Sequence, residues 1–110
     1  MTISTKKEPN ALVLTVSGRM DAVTAPEFEK SVSELIAQGE KNFLIDLSAL
    51  EYISSAGLRS ILASAKRLKE QNGKLVFSGL QGHVKEVFSI SGFHGIFKIH
   101  DTEAEGLKDF

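Results

Sequence analysis

The sequence predicts an α/β domain in which a mixed, mostly parallel sheet of about four or five strands alternates with helices. Three observations predict it. Short β-rich runs and segments of 3.6-residue apolar periodicity take turns along the chain. The chain opens on two successive strand-like runs, an antiparallel start that makes the sheet mixed. Its 110 residues, 42% hydrophobic with mean hydropathy near zero, suit one globular core spanning residues 1–110, with no room for a second.

Each element has its own signal. Ile3 to Lys7 forms a short strand that pairs, across a Glu8-Pro9-Asn10 turn, with the alternating run Ala11 to Val16, which Ser17-Gly18 ends. Thr24-Ala25-Pro26-Glu27 reads as a capping box, with Thr24 as N-cap, Glu27 as its N3 partner and Pro26 in the first turn. Phe28, Val32, Leu35 and Ile36 then make one apolar stripe, and Gly39 sits just past the helix end. Phe43 to Leu47 is an apolar run suited to a strand covered on both faces. Leu58, Ile61, Leu62, Ala65 and Leu68 mark a second helix that stops near Asn72-Gly73. Lys74 to Ser78 is the next strand. Val84, Val87, Phe88 and Ile90 place a third helix after the turn from Gly79 to Gly82. Phe97 to Ile99 is a last short strand, and Glu103 to Phe110 a terminal helix that contains Gly106.

Strands joined through single helices require right-handed crossovers, and in such sheets function gathers beyond the carboxyl ends of the strands. Two loops qualify. Ser54 and Ser55 follow the Phe43–Leu47 strand through a short connector and stand where the second helix begins. Asp21 lies beyond the carboxyl end of the Ala11–Val16 strand, and parallel neighbours would bring both loops to one edge. A helix start carries unpaired N–H groups and a partial positive charge, which favour a phosphate. The same geometry lets a serine act as a plain N-cap, and the two roles are compatible. Asp46, a carboxylate within a strand, is expected to accept from groups near Ser48.

Composition removes several function classes. A formal charge of -1 and a pI of about 6.3 argue against nucleic acid, whose partners present a basic face. Lys66, Arg67 and Lys69 cluster, but on the polar side of a helix. There is no cysteine, so disulfides and thiolate metal sites are out. His83, His94 and His100 lack metal-ligand spacing, so no metal and no cofactor is expected. Ser54-Ser55-Ala56-Gly57 lacks the glycine before the serine that a hydrolase elbow needs, and no phosphate-binding glycine motif occurs. No apolar run reaches the ~20 residues of a membrane span, and residues 1 to 10 lack a signal-peptide core. A cytoplasmic monomer that does not insert into membranes is the expectation.

The segment Asp46-Leu-Ser-Ala-Leu-Glu-Tyr-Ile-Ser-Ser-Ala-Gly-Leu58 resembles the signature of STAS domains, and more narrowly that of bacterial anti-sigma factor antagonists. Gly18-Arg19-Met20-Asp21 with Thr24, and Ser91-Gly92-Phe93, support the likeness, which runs the length of the chain. The resemblance implies a STAS-like fold and a regulatory switch, not an enzyme. In that family an unphosphorylated antagonist holds an anti-sigma factor that is also a serine kinase. Phosphorylation of one serine at the start of the central helix breaks the complex, and a PP2C-type phosphatase resets it. By register Ser55 corresponds to the phosphorylated serine, with Ser54 the second candidate. Ser54 stands where relatives usually carry an aspartate, a departure that bears on kinase recognition. Asp21, Ser54, Gly57 and Arg59 are the implied partner-binding residues. Gly57 has a competing role in tight packing, and Asp21 in capping local backbone. An alternative is a STAS accessory subunit of a transporter or other complex, docking constitutively with Ser55 unmodified. A small hydrolase using Ser55 is a third.

Overall fold

The computed structural model describes residues 1–110, and the elements follow the predicted order with one strand and one 3-10 turn added. They are β1 (Thr2–Lys7), β2 (Leu12–Met20), α1 (Ala25–Ala37), β3 (Asn42–Asp46), β4 (Leu50–Ile53), α2 (Ser55–Glu70), β5 (Lys74–Ser78), α3 (Gly82–Ile90), a 3-10 turn (Phe93–Gly95), β6 (Lys98–His100) and α4 (Glu103–Leu107). The sheet runs β1-β2-β3-β5-β6. β1 is antiparallel to β2, and β2, β3, β5 and β6 are mutually parallel.

The sixth strand, β4, replaces the short connector expected before Ser54. It pairs parallel with the last part of β2, from Gly18 to Met20, with a register shift between Gly18 and Arg19 that leaves Glu51 as the extra residue on β4. Gly18 takes φ +90, a left-handed conformation that lets β2 bend there and continue to Met20. Ser17-Gly18 therefore lies within β2 and does not end the strand. β6 lies one residue later than predicted. α4 is shorter than Glu103 to Phe110, and its buried Gly106 packs so closely that a Cβ would stand 2.7 Å from Leu44 Cδ1.

The core is lopsided. Eighteen buried residues form the main cluster, where α1, α2 and α3 lie on the face of β2, β3 and β5 that carries Leu14, Ile45 and Phe77. The other face holds only Val13, Leu44 and Val76, covered by Leu107 and Phe110 of the C-terminal segment. Phe43, Leu44 and Ile45 are all fully buried, as a strand covered on both faces requires. In α1, Phe28 and Val32 are buried and Leu35 and Ile36 pack against the cluster, as the stripe predicts. In α2 the buried line is Gly57, Ser60, Ile61, Ser64 and Leu68, while Leu62 remains 40% exposed. Small residues let α2 sit close to α1, and Ser60 Oγ donates to Ala25 O at 2.9 Å across that contact.

The capping box at Thr24 is not made. Thr24 is the N-cap residue of α1 but its side chain bonds no first-turn amide. Its hydroxyl donates instead to Arg19 O at 2.9 Å and accepts from Asp21 N at 2.9 Å. The hydroxyl closes the β2–α1 loop and so is unavailable to the helix.

Candidate functional site at the edge shared by two loops

The β2–α1 loop and the start of α2 do meet, and β4 is what joins them. Met20 pairs with Ile53 in register, and Ser54 N continues the ladder by donating to Met20 O at 2.9 Å. Ser54 is thereby held extended (φ -96, ψ 175), the backbone geometry of an N-cap. Its Oγ accepts from Gly57 N at 3.3 Å, and its carbonyl accepts from Leu58 N at 3.0 Å.

The two serines therefore differ in kind. Ser54 is half-buried and its oxygen caps the helix. Ser55 is the first helical residue, exposed, with a hydroxyl bonded to nothing else in the chain. The amides of Ser55 and Ala56 also lack an intrachain acceptor, leaving donors and the positive end of a 16-residue helix beside that hydroxyl. The nearby His83 is bonded elsewhere, its Nε2 3.3 Å from Ile53 O.

Gly57 is buried under the first turn. A Cβ there would stand 2.7 Å from Ile53 Cγ1 and 3.0 Å from Met20 O, so its backbone faces the sheet and not a surface. Its contribution is the close approach that brings α2 against β2 and β4. Arg59 is exposed one turn beyond Ser55, on the same side of the helix.

Asp21 closes its own loop. Its Oδ1 accepts from Val23 N at 3.0 Å and Thr24 N at 3.1 Å. The Thr24 and Val23 amides, with Arg19 nearby, hold its carboxyl below the usual carboxylate range. This turn lifts Val23, 86% exposed, onto the surface beside Asp21. Asp46 meets its expectation, accepting from Ser48 N at 2.9 Å.

Sequence reading missed three residues here. Arg19 and Tyr52 are register partners across β2 and β4, and the Arg19 guanidinium lies 4.1 Å from the centre of the Tyr52 ring. Tyr52 also stacks on His83 from α3, with centroids 5.0 Å apart and planes 5° from parallel. The column ties α3 to the β2–β4 edge. Only the β2–β4 register, invisible without β4, reveals it. No group of three metal-ligating side chains lies together, and no helix is long and apolar enough to cross a membrane.

The site is the N-capped start of the central helix, at the end of the β2–β4 pair of a six-stranded mixed α/β domain. The chain belongs to the STAS domain family, whose model matches residues 2–106. It is 38% identical over 110 residues to BtrV of Bordetella bronchiseptica, named as an anti-sigma factor antagonist; the match covers 100% of this chain and 95% of that one. It is 27% identical over 100 residues to the anti-sigma-B factor antagonist of Listeria monocytogenes, covering 91% and 88% of the two chains. Among solved structures, an anti-sigma factor antagonist from Mycobacterium paratuberculosis superposes with a TM-score of 0.88 at 26% identity, covering 98% of this chain and 92% of that one. Family membership is thus with the anti-sigma factor antagonists.

Proposed function

We propose that this protein is the antagonist in a phosphorylation-controlled partner switch. When unphosphorylated it binds an anti-sigma factor that is a serine kinase; phosphorylation of Ser55 releases that partner, and a PP2C-type phosphatase restores the binding form. The observation that carries the proposal is the division of labour between adjacent serines. Ser54 caps α2, whereas the Ser55 hydroxyl is exposed, unbonded and set at the helix start. A kinase can reach Ser55 without dismantling the helix. The cap also answers the missing aspartate: the Ser54 side chain turns inward to Gly57 N, so this protein presents its acceptor without a flanking negative charge.

The docking surface is the edge around Ser55, with Arg59 on the helix and Asp21 and Val23 on the neighbouring loop. Ser54 and Gly57 shape that edge from beneath. A phosphate on Ser55 adds about -1.5 to -2 charges at pH 7. At the helix N-terminus it is well tolerated by the domain itself. At a docked interface it is an unpaired, desolvated charge, and each 1.4 kcal/mol lost weakens binding about tenfold. The switch then works at the contact, with no refolding of the antagonist.

The test is incubation with ATP and the anti-sigma kinase of the same organism, with the phosphate located by fragmentation mass spectrometry. One phosphate on Ser55 is expected, absent in Ser55→Ala and present in Ser54→Ala. Phosphate on Ser54, or release of the partner without modification of either serine, overturns the proposal.

A further inference from the structure

Far from the Ser55 edge, the C-terminal half of α2 and the segment entering β6 enclose a groove of about 360 Å³. Leu75 and Phe97 line it from within, Leu62 and Ile96 stand at its lips, and Lys66 and Lys69 flank it. Leu62 is 40% exposed and Ile96 62%. We propose that this groove binds a single-chain aliphatic carboxylate, the chain lying along Leu62, Leu75, Ile96 and Phe97 and the head group meeting Lys66 and Lys69.

The argument begins with the face of α2. The helix docks on the core through Gly57, Ser60, Ile61, Ser64 and Leu68, which leaves Leu62 and Ala65 beside that contact and not in it. Positions 62, 65, 66 and 69 fall at i, i+3, i+4 and i+7, one line along the helix. That line is apolar toward its start and cationic toward its end, the order of tail and head in an amphiphile. Neither lysine makes an ion pair within the chain, whereas Lys6, Lys7 and Lys98 each do. No carboxylate lines the groove, so its charge complement must come from the ligand.

Size and charge choose among occupants. The volume lies at the small end of the ~300–1,000 Å³ of ligand sites, which suits one chain and not a two-chain lipid. A second copy would meet the groove with the same patch, which holds no carboxylate to pair Lys66 and Lys69. A bilayer surface would need a broad cationic face, and the net charge here is -1. The proposal does not rest on the partner switch: Lys66 lies about 16 Å along the helix from Ser55.

The experiment is an amide NMR titration of the isotopically labelled full chain with dodecanoate below its micelle concentration. Dodecyltrimethylammonium and acidic phospholipid vesicles are the comparison ligands. Saturable shifts are expected at Ala65, Ile96 and Phe97, with dodecanoate binding roughly ten-fold or more tighter than the cation. K66E/K69E should abolish that preference, and Ile96→Asp should weaken both ligands with the thermal midpoint retained. Ser55→Asp should leave the titration unchanged. Absence of saturable shifts at these residues, equal affinity for the cationic amphiphile, or response only to vesicles overturns the inference.

Discussion

At the scale of single residues, Ser54 and Ser55 differ by one position and by everything that follows from it. Replacing Ser54 with alanine removes the acceptor for Gly57 N and should cost about 0.5–2 kcal/mol, read as a lower urea midpoint with an unchanged slope. Ser55→Asp should do the opposite. A negative charge at the first helical position interacts favourably with the helix N-terminus, so stability should hold or rise by about 0.3–1 kcal/mol at low salt. A loss of partner binding by Ser55→Asp is then an effect on the interface and not on folding. Gly57→Ala places its Cβ against Ile53 and Met20 O and should destabilise by about 1–3 kcal/mol in the same assay. From sequence, the pair of serines at a helix start was legible. Which one caps was not, because that depends on the extended backbone Ser54 inherits from pairing with Met20.

At the scale of elements, β4 decides how the edge is built. Leu50-Glu51-Tyr52-Ile53 escaped the sequence reading because it is four residues long and buries Leu50 and Ile53, a spacing that breaks the two-residue alternation of a strand. Its partner β2 was read too short for a related reason: Gly18 looks like a stop and is a bend. The β2 run and the three longer helices are legible from periodic apolar patterns, the strand at Phe43 from a continuous apolar run, and β1 from the Glu8-Pro9-Asn10 turn that follows it. The capping box fails because of a competitor: nothing in the sequence says that Asp21 N will donate to the Thr24 hydroxyl while that hydroxyl donates to Arg19 O. Between α1 and α2, Ser60→Ala should cost about 0.5–1.5 kcal/mol through loss of its bond to Ala25 O. Thermal unfolding of the variant checks this.

At the scale of the whole molecule, the C-terminal segment closes the thin side of the sheet, and Asp109 is its electrostatic tie. Its carboxylate meets His100 at 2.5 Å and Lys98 at 3.7 Å, while Lys74 donates to its backbone carbonyl. The His100 bond, with the Lys98 and Lys74 charges, holds the Asp109 carboxyl below the usual range, as the loop amides do for Asp21. Both groups bind protons more weakly folded than unfolded. Their contribution is present above the unfolded aspartate value of ~3.9 and is lost as pH falls below it through the folded values. Stability measured from pH 6 to pH 3 should therefore fall at the acid end, and Asp109→Asn should flatten part of that fall. A flat wild-type profile across this range contradicts the assignment.

The central claim is that one phosphate at Ser55 changes what the molecule holds without changing its fold. Isothermal calorimetry of Ser55→Ala and Ser55→Asp against the anti-sigma factor kinase tests it most directly, with circular dichroism to verify that both variants are folded. The alanine form should bind, and the aspartate form should bind at least about 100-fold more weakly. Equal affinity of two folded variants would contradict the account and leave Ser55 an exposed residue beside a capped helix.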